Sequence, residues 1–327
     1  MRGPPPVRVL ITALAGGVGA ARLLEGLVRA VPPADVTAVV NTGDDIVLHG
    51  LHVSPDLDTV TYTLAGVVPP ERGWGIKDES WAAMEALQRY GRVAPAGSEA
   101  GATWFRLGDR DLATHLYRTR RLAEGARLST VAAEVAAAWG LELRLLPMTD
   151  GRVETRMTVA GEGEIGFQDY FVARRHAVAV TGVRFAGADR ARPAPGVLEA
   201  ISAADVVVIC PSNPIVSIGP ILAVPGIAQA VADRREDTVA VSPIVAGQAL
   251  KGPAARLMAE LGHEASVVGV ARLYAPFAAT VVVDEADAGL RAAVEAVGLR
   301  CVVARAVMRG VEGATVLAGA VLAAARP

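Results

Sequence analysis

Cysteine, lysine and aromatic residues are all scarce in this chain. Cys210 and Cys301 are the only cysteines among 327 residues and form no Cys-x-x-Cys pair. That excludes a thiolate zinc site or a disulfide framework and fits a reducing, cytoplasmic setting. Aromatics make up 4% of the sequence, which disfavours a stacking surface for single-stranded nucleic acid. Lysine occurs only at Lys77 and Lys251, and 32 basic residues against 34 acidic ones leave a formal charge of −2. This is no footprint for nucleic acid or an anionic membrane. No uninterrupted apolar run reaches the 18 residues needed to span a bilayer. MRGPPPVRVLITALAGGVGAA superficially resembles a signal peptide, yet VRVLITAL followed by glycines and Arg22 reads as a strand, a loop and a helix.

Apolar residues, by contrast, make up 52% of the chain, ample for a large core. Near-continuous β-branched runs predict strands at 7–14, 36–40, 177–183, 205–210, 238–242, 280–284 and 300–304. Helical segments alternate with them, among them 19–30, 196–203 and 314–325. The pattern predicts an α/β fold, a Rossmann-like doubly wound and mainly parallel sheet. Residues 1–58 and 141–327 are expected to form this core, and 59–140 a mostly helical insertion over the active site. Residues 152–175 read as a small β excursion followed by a helix.

Four motifs follow predicted strands or open helices. LAGGVGAARLLEGL places Gly16, Gly17 and Gly19 where a helix begins, so backbone N–H groups can face a phosphate. It is neither a complete G-x-G-x-x-G nor a Walker A loop, and a plain tight turn is the competing reading. NTGDD and PDLD gather Asp44, Asp45, Asp56 and Asp58 after the strand at 36–40. Such hard oxygen donors suit Mg²⁺ with a phosphate substrate, although Asp56 or Asp58 is also suited to capping the next helix. RLGDRDLATH opens a helix at Asp109, a natural N-cap, and puts Arg110 where an unpaired cation is disfavoured. CPSNPIVSIGPIL offers Ser212, Asn213, Ser217 and Gly219 as a proline-stiffened second clamp for a phosphate or base. The histidines, His115 among them, show no metal-binding spacing and read as polar surface residues.

Taken together, AGGVGAAR, VVNTGDD, SPDLDTVTYTLAG, RGWGIKDESW, RLGDRDLATHLYR, LLPMTD, FQDYFV and CPSNPIVSIGPIL resemble, in order, the 2-phospho-L-lactate transferase family of coenzyme F420 biosynthesis. The likeness is to its actinobacterial members. The resemblance implies a Mg²⁺-dependent transferase that moves a phospho-three-carbon acid from a guanylyl donor to the deazaflavin Fo, with a homodimer as the working unit. It places the metal on Asp44 and Asp58 and catalytic roles on Asp44, Asp45 and Asp58, with Asp56 beside them, and Fo contacts on Asp58, Asp109 and Arg110. Donor contacts fall on Thr12, Gly16, Gly17, Gly19, Asn41, Ser212, Asn213, Ser217 and Gly219. Two other classes compete: a non-catalytic nucleotide-sugar-binding regulator of the same superfamily, and a dinucleotide oxidoreductase. GDRD with PDLD argues against the first, and the incomplete glycine motif against the second.

Overall fold

The computed structural model describes residues 8–249 and 252–325, so the first residues of the signal-like start, including Val7 of the first expected strand, lie outside it. Seven strands form one sheet, numbered here in chain order: β1 (Ile11–Ala15), β2 (Val36–Val40), β3 (Arg144–Pro147), β4 (Val206–Ile209), β5 (Thr238–Val241), β6 (Thr280–Asp284) and β7 (Arg300–Ala304). Their spatial order is β7-β6-β5-β4-β1-β2-β3, and every neighbouring pair runs parallel.

Both faces are covered, which is why the strands read as unbroken apolar runs. Side chains alternate between two cores. Ile11, Ala13 and Ala15 join Val206, Val208 and Val282 on one face, while Leu14, Val39, Val207, Ile209 and Val281 join the other. Each fully buried Val, Leu or Ile contributes about 1.5–3 kcal/mol by leaving water.

Two expectations about strands need correction. Residues 177–183 do not enter the main sheet. A strand at Val180–Ala186 instead pairs antiparallel with Glu154–Val159, which also pairs with Gly163–Gly166. Only one face of this small sheet is buried: Glu154–Val159 alternates, and of Val180–Ala186 only Val180 is buried. The expected helix after it is a single wide turn at Asp169–Ala173. The seventh parallel strand is β3, unforeseen because it is a four-residue edge strand opening on exposed Arg144.

Residues 59–140 contribute helices and, among the described residues, no strand of the main sheet. They include most of α2 (Pro55–Leu64), then α3 (Ala82–Gly91), α4 (Asp111–Ala123) and α5 (Leu128–Ala138). No helix among the described residues is long and apolar enough to cross a membrane. The C-terminal helix, Gly310–Ala324, packs instead on α1 (Gly17–Ala30).

The α1 packing generates a paired test. A Cβ on Gly26 of α1 would stand 2.2 Å from the Ala314 carbonyl oxygen, whereas one on Gly319 of the partner helix would meet nothing within 4 Å. Gly26→Ala should lower unfolding free energy by about 1–3 kcal/mol through overpacking. Gly319→Ala should raise it by up to about 1 kcal/mol through helix propensity. Urea unfolding of both variants reads the signs, and a Gly26→Ala protein as stable as wild type would refute the close helix contact.

Candidate active site

In a sheet of this order the chain turns away in opposite directions from β1 and β4, which opens a crevice at their carboxyl ends. Both motif loops lie there. Gly16 leads into α1, and Gly17 has φ +70°, a conformation open to glycine and strained for other residues. Gly19 has no room for a side chain, because a Cβ would lie 2.3 Å from the Pro211 carbonyl oxygen. Ser212 ties the loops together: its hydroxyl donates to the Gly16 carbonyl at 2.8 Å and accepts from the Gly16 N–H at 3.2 Å. Asn213 caps the next turn through Oδ1, accepting from the Ile215 N–H at 2.9 Å, while its buried Nδ2 has no partner. The free amide group is a donor left for a ligand.

Next to the glycine loop, β2 ends on Asn41. Its Nδ2 donates to Asp44 Oδ2 at 3.1 Å and to Asp56 Oδ2 at 2.9 Å. Asp56 lies in the first turn of α2 after Ser54, so it does not cap that helix; it accepts instead from the Gly17 N–H. Burial pushes Asp56 up to about 6 against the pull of these hydrogen bonds. Burial, and then the Asp56 charge, hold Asp44 well above its usual value. Asp44 Oδ1 is buried without a partner. Asp45 accepts from the Ser54 hydroxyl at 2.6 Å through Oδ2, and its Oδ1 is likewise unpartnered. Adjacent carboxylates with orphaned oxygens and disfavoured charge are a donor set short of a cation.

Asp58, two residues further along α2, has a different environment. Both of its oxygens accept from the Arg118 guanidinium, Oδ2 from Nη1 at 3.1 Å. Arg118 is 3% exposed and also donates to the His52 carbonyl. Asp111, His115 and Arg118 recur at i, i+4 and i+7 on one face of α4. His115 Nδ1 stands 3.7 Å from Asp58 and Nε2 stands 3.2 Å from Asp111. The Tyr62 hydroxyl is 2.7 Å from Asp111 Oδ1. Burial raises the Asp111 carboxyl, but the neighbouring His115 and the Tyr62 hydroxyl that donates to it outweigh burial and bring the group below its ordinary value. Asp58, Asp111 and His115 lie close enough to share a metal ion, each offering one ligand atom within 4.8 Å of the others.

A cavity of about 780 Å³ joins these groups. Of the residues singled out in the sequence, Gly16, Gly17, Gly19, Asp44, Asp56, Asp58, Ser212, Asn213 and Ser217 line it. Asn41 and Asp45 stand behind that lining, and Thr12 is turned to the Ala200 carbonyl. A Cβ on Gly219 would meet the Phe185 ring. Asp109 does not cap its own helix; it accepts from the Ala82 and Ala83 N–H groups and so caps α3. The Arg110 guanidinium donates to the Lys77 carbonyl. At this corner the wall is formed by Arg106, with Phe105, Trp74 and Gly75. His115, expected on the surface, is 1% exposed. Asp111, His115 and Arg118 were legible in principle, since DLATHLYR places them on one helical face.

Comparison with known proteins identifies the family. Residues 11–304 match the family model described as 2-phospho-L-lactate transferase CofD. The phosphoenolpyruvate transferase of Streptomyces griseus is 47% identical over 312 residues, spanning 94% of this chain and 96% of that protein. The phosphoenolpyruvate transferase of Kitasatospora aureofaciens is 47% identical over 320 residues, with 96% and 97% covered. Among solved structures, a UPF0052 family member from Bacillus halodurans superposes with a TM-score of 0.62 at 17% identity, over 97% of this chain and 100% of that one, a likeness of fold alone. The chain belongs to the 2-phospho-L-lactate transferase CofD family.

Proposed function

We propose that this transferase moves a phospho-three-carbon-acid group from a guanylyl donor to the terminal ribityl hydroxyl of the deazaflavin Fo, releasing GMP and forming (dehydro)coenzyme F420-0. Between the lactyl and enolpyruvyl forms of the donor, the phosphoenolpyruvate transferase activity of the Streptomyces and Kitasatospora relatives favours enolpyruvate. The observation that carries the reading is the buried Asp44–Asn41–Asp56 arrangement beside a glycine loop that opens a helix. A phosphate on the α1 N-terminus would face two carboxylates, and only a cation between them makes that arrangement favourable.

Mg²⁺ fits this donor set. Asp44 and Asp56 would hold it, with Asp45 close by, while Asp58 has both oxygens engaged by Arg118. When bound, the ion supplies charge neutralisation of the donor's phosphate oxygens. The protein's own groups do the rest. The α1 N–H groups and the Asn213 amide bind the donor's phosphates. Asp58, held in one orientation by Arg118, positions the acceptor hydroxyl. A bond forms from the hydroxyl oxygen to the phosphorus bearing the acid, and the bond from that phosphorus to the GMP oxygen breaks. The electron pair leaves with GMP, and the hydroxyl proton passes to solvent. The resemblance further suggests a cytoplasmic homodimer, whose size sedimentation would measure.

Incubating the purified protein with Fo, Mg²⁺ and each guanylyl donor in turn should give the enolpyruvyl phosphodiester fastest, identified by product mass. Absence of product with every donor would overturn the reading. Asp44→Asn should lower turnover by about two orders of magnitude or more. The same change removes an uncompensated buried charge, so the metal-free variant should melt no lower than wild type. It should also lose the rise in Tm that Mg²⁺ with donor gives the wild-type protein. Full activity in this variant would remove Asp44 from the metal site.

A further inference from the structure

Trp74, Trp81, Arg72 and Arg106 form a ladder of alternating rings and guanidinium groups at the edge of the cavity. The Arg106 guanidinium lies 4.4 Å from the Trp81 ring centroid, and that of Arg72 lies 5.4 Å from the centroids of both Trp81 and Trp74. The two indoles meet edge to face at 65°, with centroids 6.4 Å apart. Trp74 is 44% exposed although it lines the cavity. The fold itself holds this segment in place. Glu79 accepts from the Ile76 N–H at 3.0 Å, and Asp109 fixes the start of α3 just beyond Trp81.

We infer that the exposed face of Trp74, with Arg106 on the same cavity wall, is the stacking platform for the flat fused-ring part of the acceptor. This rests on the transferase reading above. An indole left open to water in an aromatic-poor chain forgoes burial that its size would otherwise contribute. A π-face flanked by guanidinium groups attracts a planar heteroaromatic ring by stacking and cation–π contact. The cavity's other aromatic wall is already filled. Phe171 stacks on Phe167 at 5.4 Å and on His176 at 5.7 Å, so its ring is already engaged by neighbours of the protein. Position agrees with chemistry. Arg106 precedes α4, whose Asp111 and His115 stand beside Asp58, the carboxylate that would position the acceptor hydroxyl. The donor loops come from the sheet, leaving the insertion for the acceptor.

The test is titration of Fo and of the guanylyl donor, each separately, into wild type, Trp74→Ala, Trp74→Phe, Arg106→Met and Phe171→Ala, with intrinsic tryptophan emission and deazaflavin fluorescence as readouts. Trp74→Ala should weaken Fo binding about five- to a hundredfold, the range for losing one aromatic stack. Trp74→Phe should recover part of it, Arg106→Met should lose a few-fold, and donor affinity should stay within twofold throughout. Wild-type tryptophan emission should be quenched by Fo, and most of that quenching should vanish in Trp74→Phe. Wild type that binds Fo and turns over while Trp74→Ala binds Fo equally well would overturn the platform and leave the transferase reading standing. Loss of Fo binding in Phe171→Ala alone would overturn it by moving the ring to the opposite wall. Wild type that binds no Fo would overturn both readings together.

Discussion

One buried amide organises the acidic end of the cavity. Asn41 spends both hydrogens of its side-chain nitrogen on carboxylates from two different segments, Asp44 after β2 and Asp56 at the start of α2. Its Oδ1 closes the turn by accepting from the Gly43 N–H at 2.8 Å, and its backbone N–H extends the pairing of β2 with β1 at Ala15. The two acids are thereby held together and out of water, an arrangement that is costly without a counter-charge. The surroundings sharpen the conflict: Asp56 abuts the glycine loop so closely that a Cβ on Gly16 would lie 2.9 Å from its carboxylate. Such local tension is stored where chemistry is done, and the deep parallel sheet keeps it in place.

Asp58 and Asp111 show the opposite solution to the same problem. Their charges are met within the protein, by Arg118 for one and by His115 and Tyr62 for the other. Buried and ion-paired, this cluster is held largely by its own members, with His115 Nε2 the one of its buried polar atoms that makes no hydrogen bond. The site therefore holds one acidic pair, Asp44 and Asp56, with no counter-charge beside it, and another carboxylate, Asp58, only two residues beyond Asp56, whose charge is met by Arg118.

Much of this was legible in the sequence, for physical reasons that also explain the failures. Parallel strands buried on both faces leave unbroken β-branched runs, so β1, β2, β4, β5, β6 and β7 could be read directly. The short edge strand β3 carries exposed Arg144 and gives no such signal, whereas 177–183 gives one for a strand that lies in another sheet. Gly16, Gly17 and Gly19 announce a loop by composition alone. Asp44, Asp56 and Asp58 stand out because acids cluster in an apolar chain. Arg118 and His115 do not, because what makes them special is burial against residues sixty positions away, and a helical face of mixed polarity looks like surface. Asp109 was readable as a cap but not as the cap of a helix that precedes it, since that contact depends on how the insertion folds back.

Ser212 carries one more consequence. By both donating to and accepting from Gly16, its hydroxyl stitches the loop after β1 to the loop after β4 across the base of the crevice. A phosphate chain laid on this seam cannot slip between the strands and must lie along its top. On the proposed chemistry, displacement at phosphorus brings the entering oxygen in opposite the departing one. With the departing nucleotide against the sheet, the open line of approach runs from the helical insertion inward, so the stitched floor of the crevice would fix the side from which the acceptor must enter.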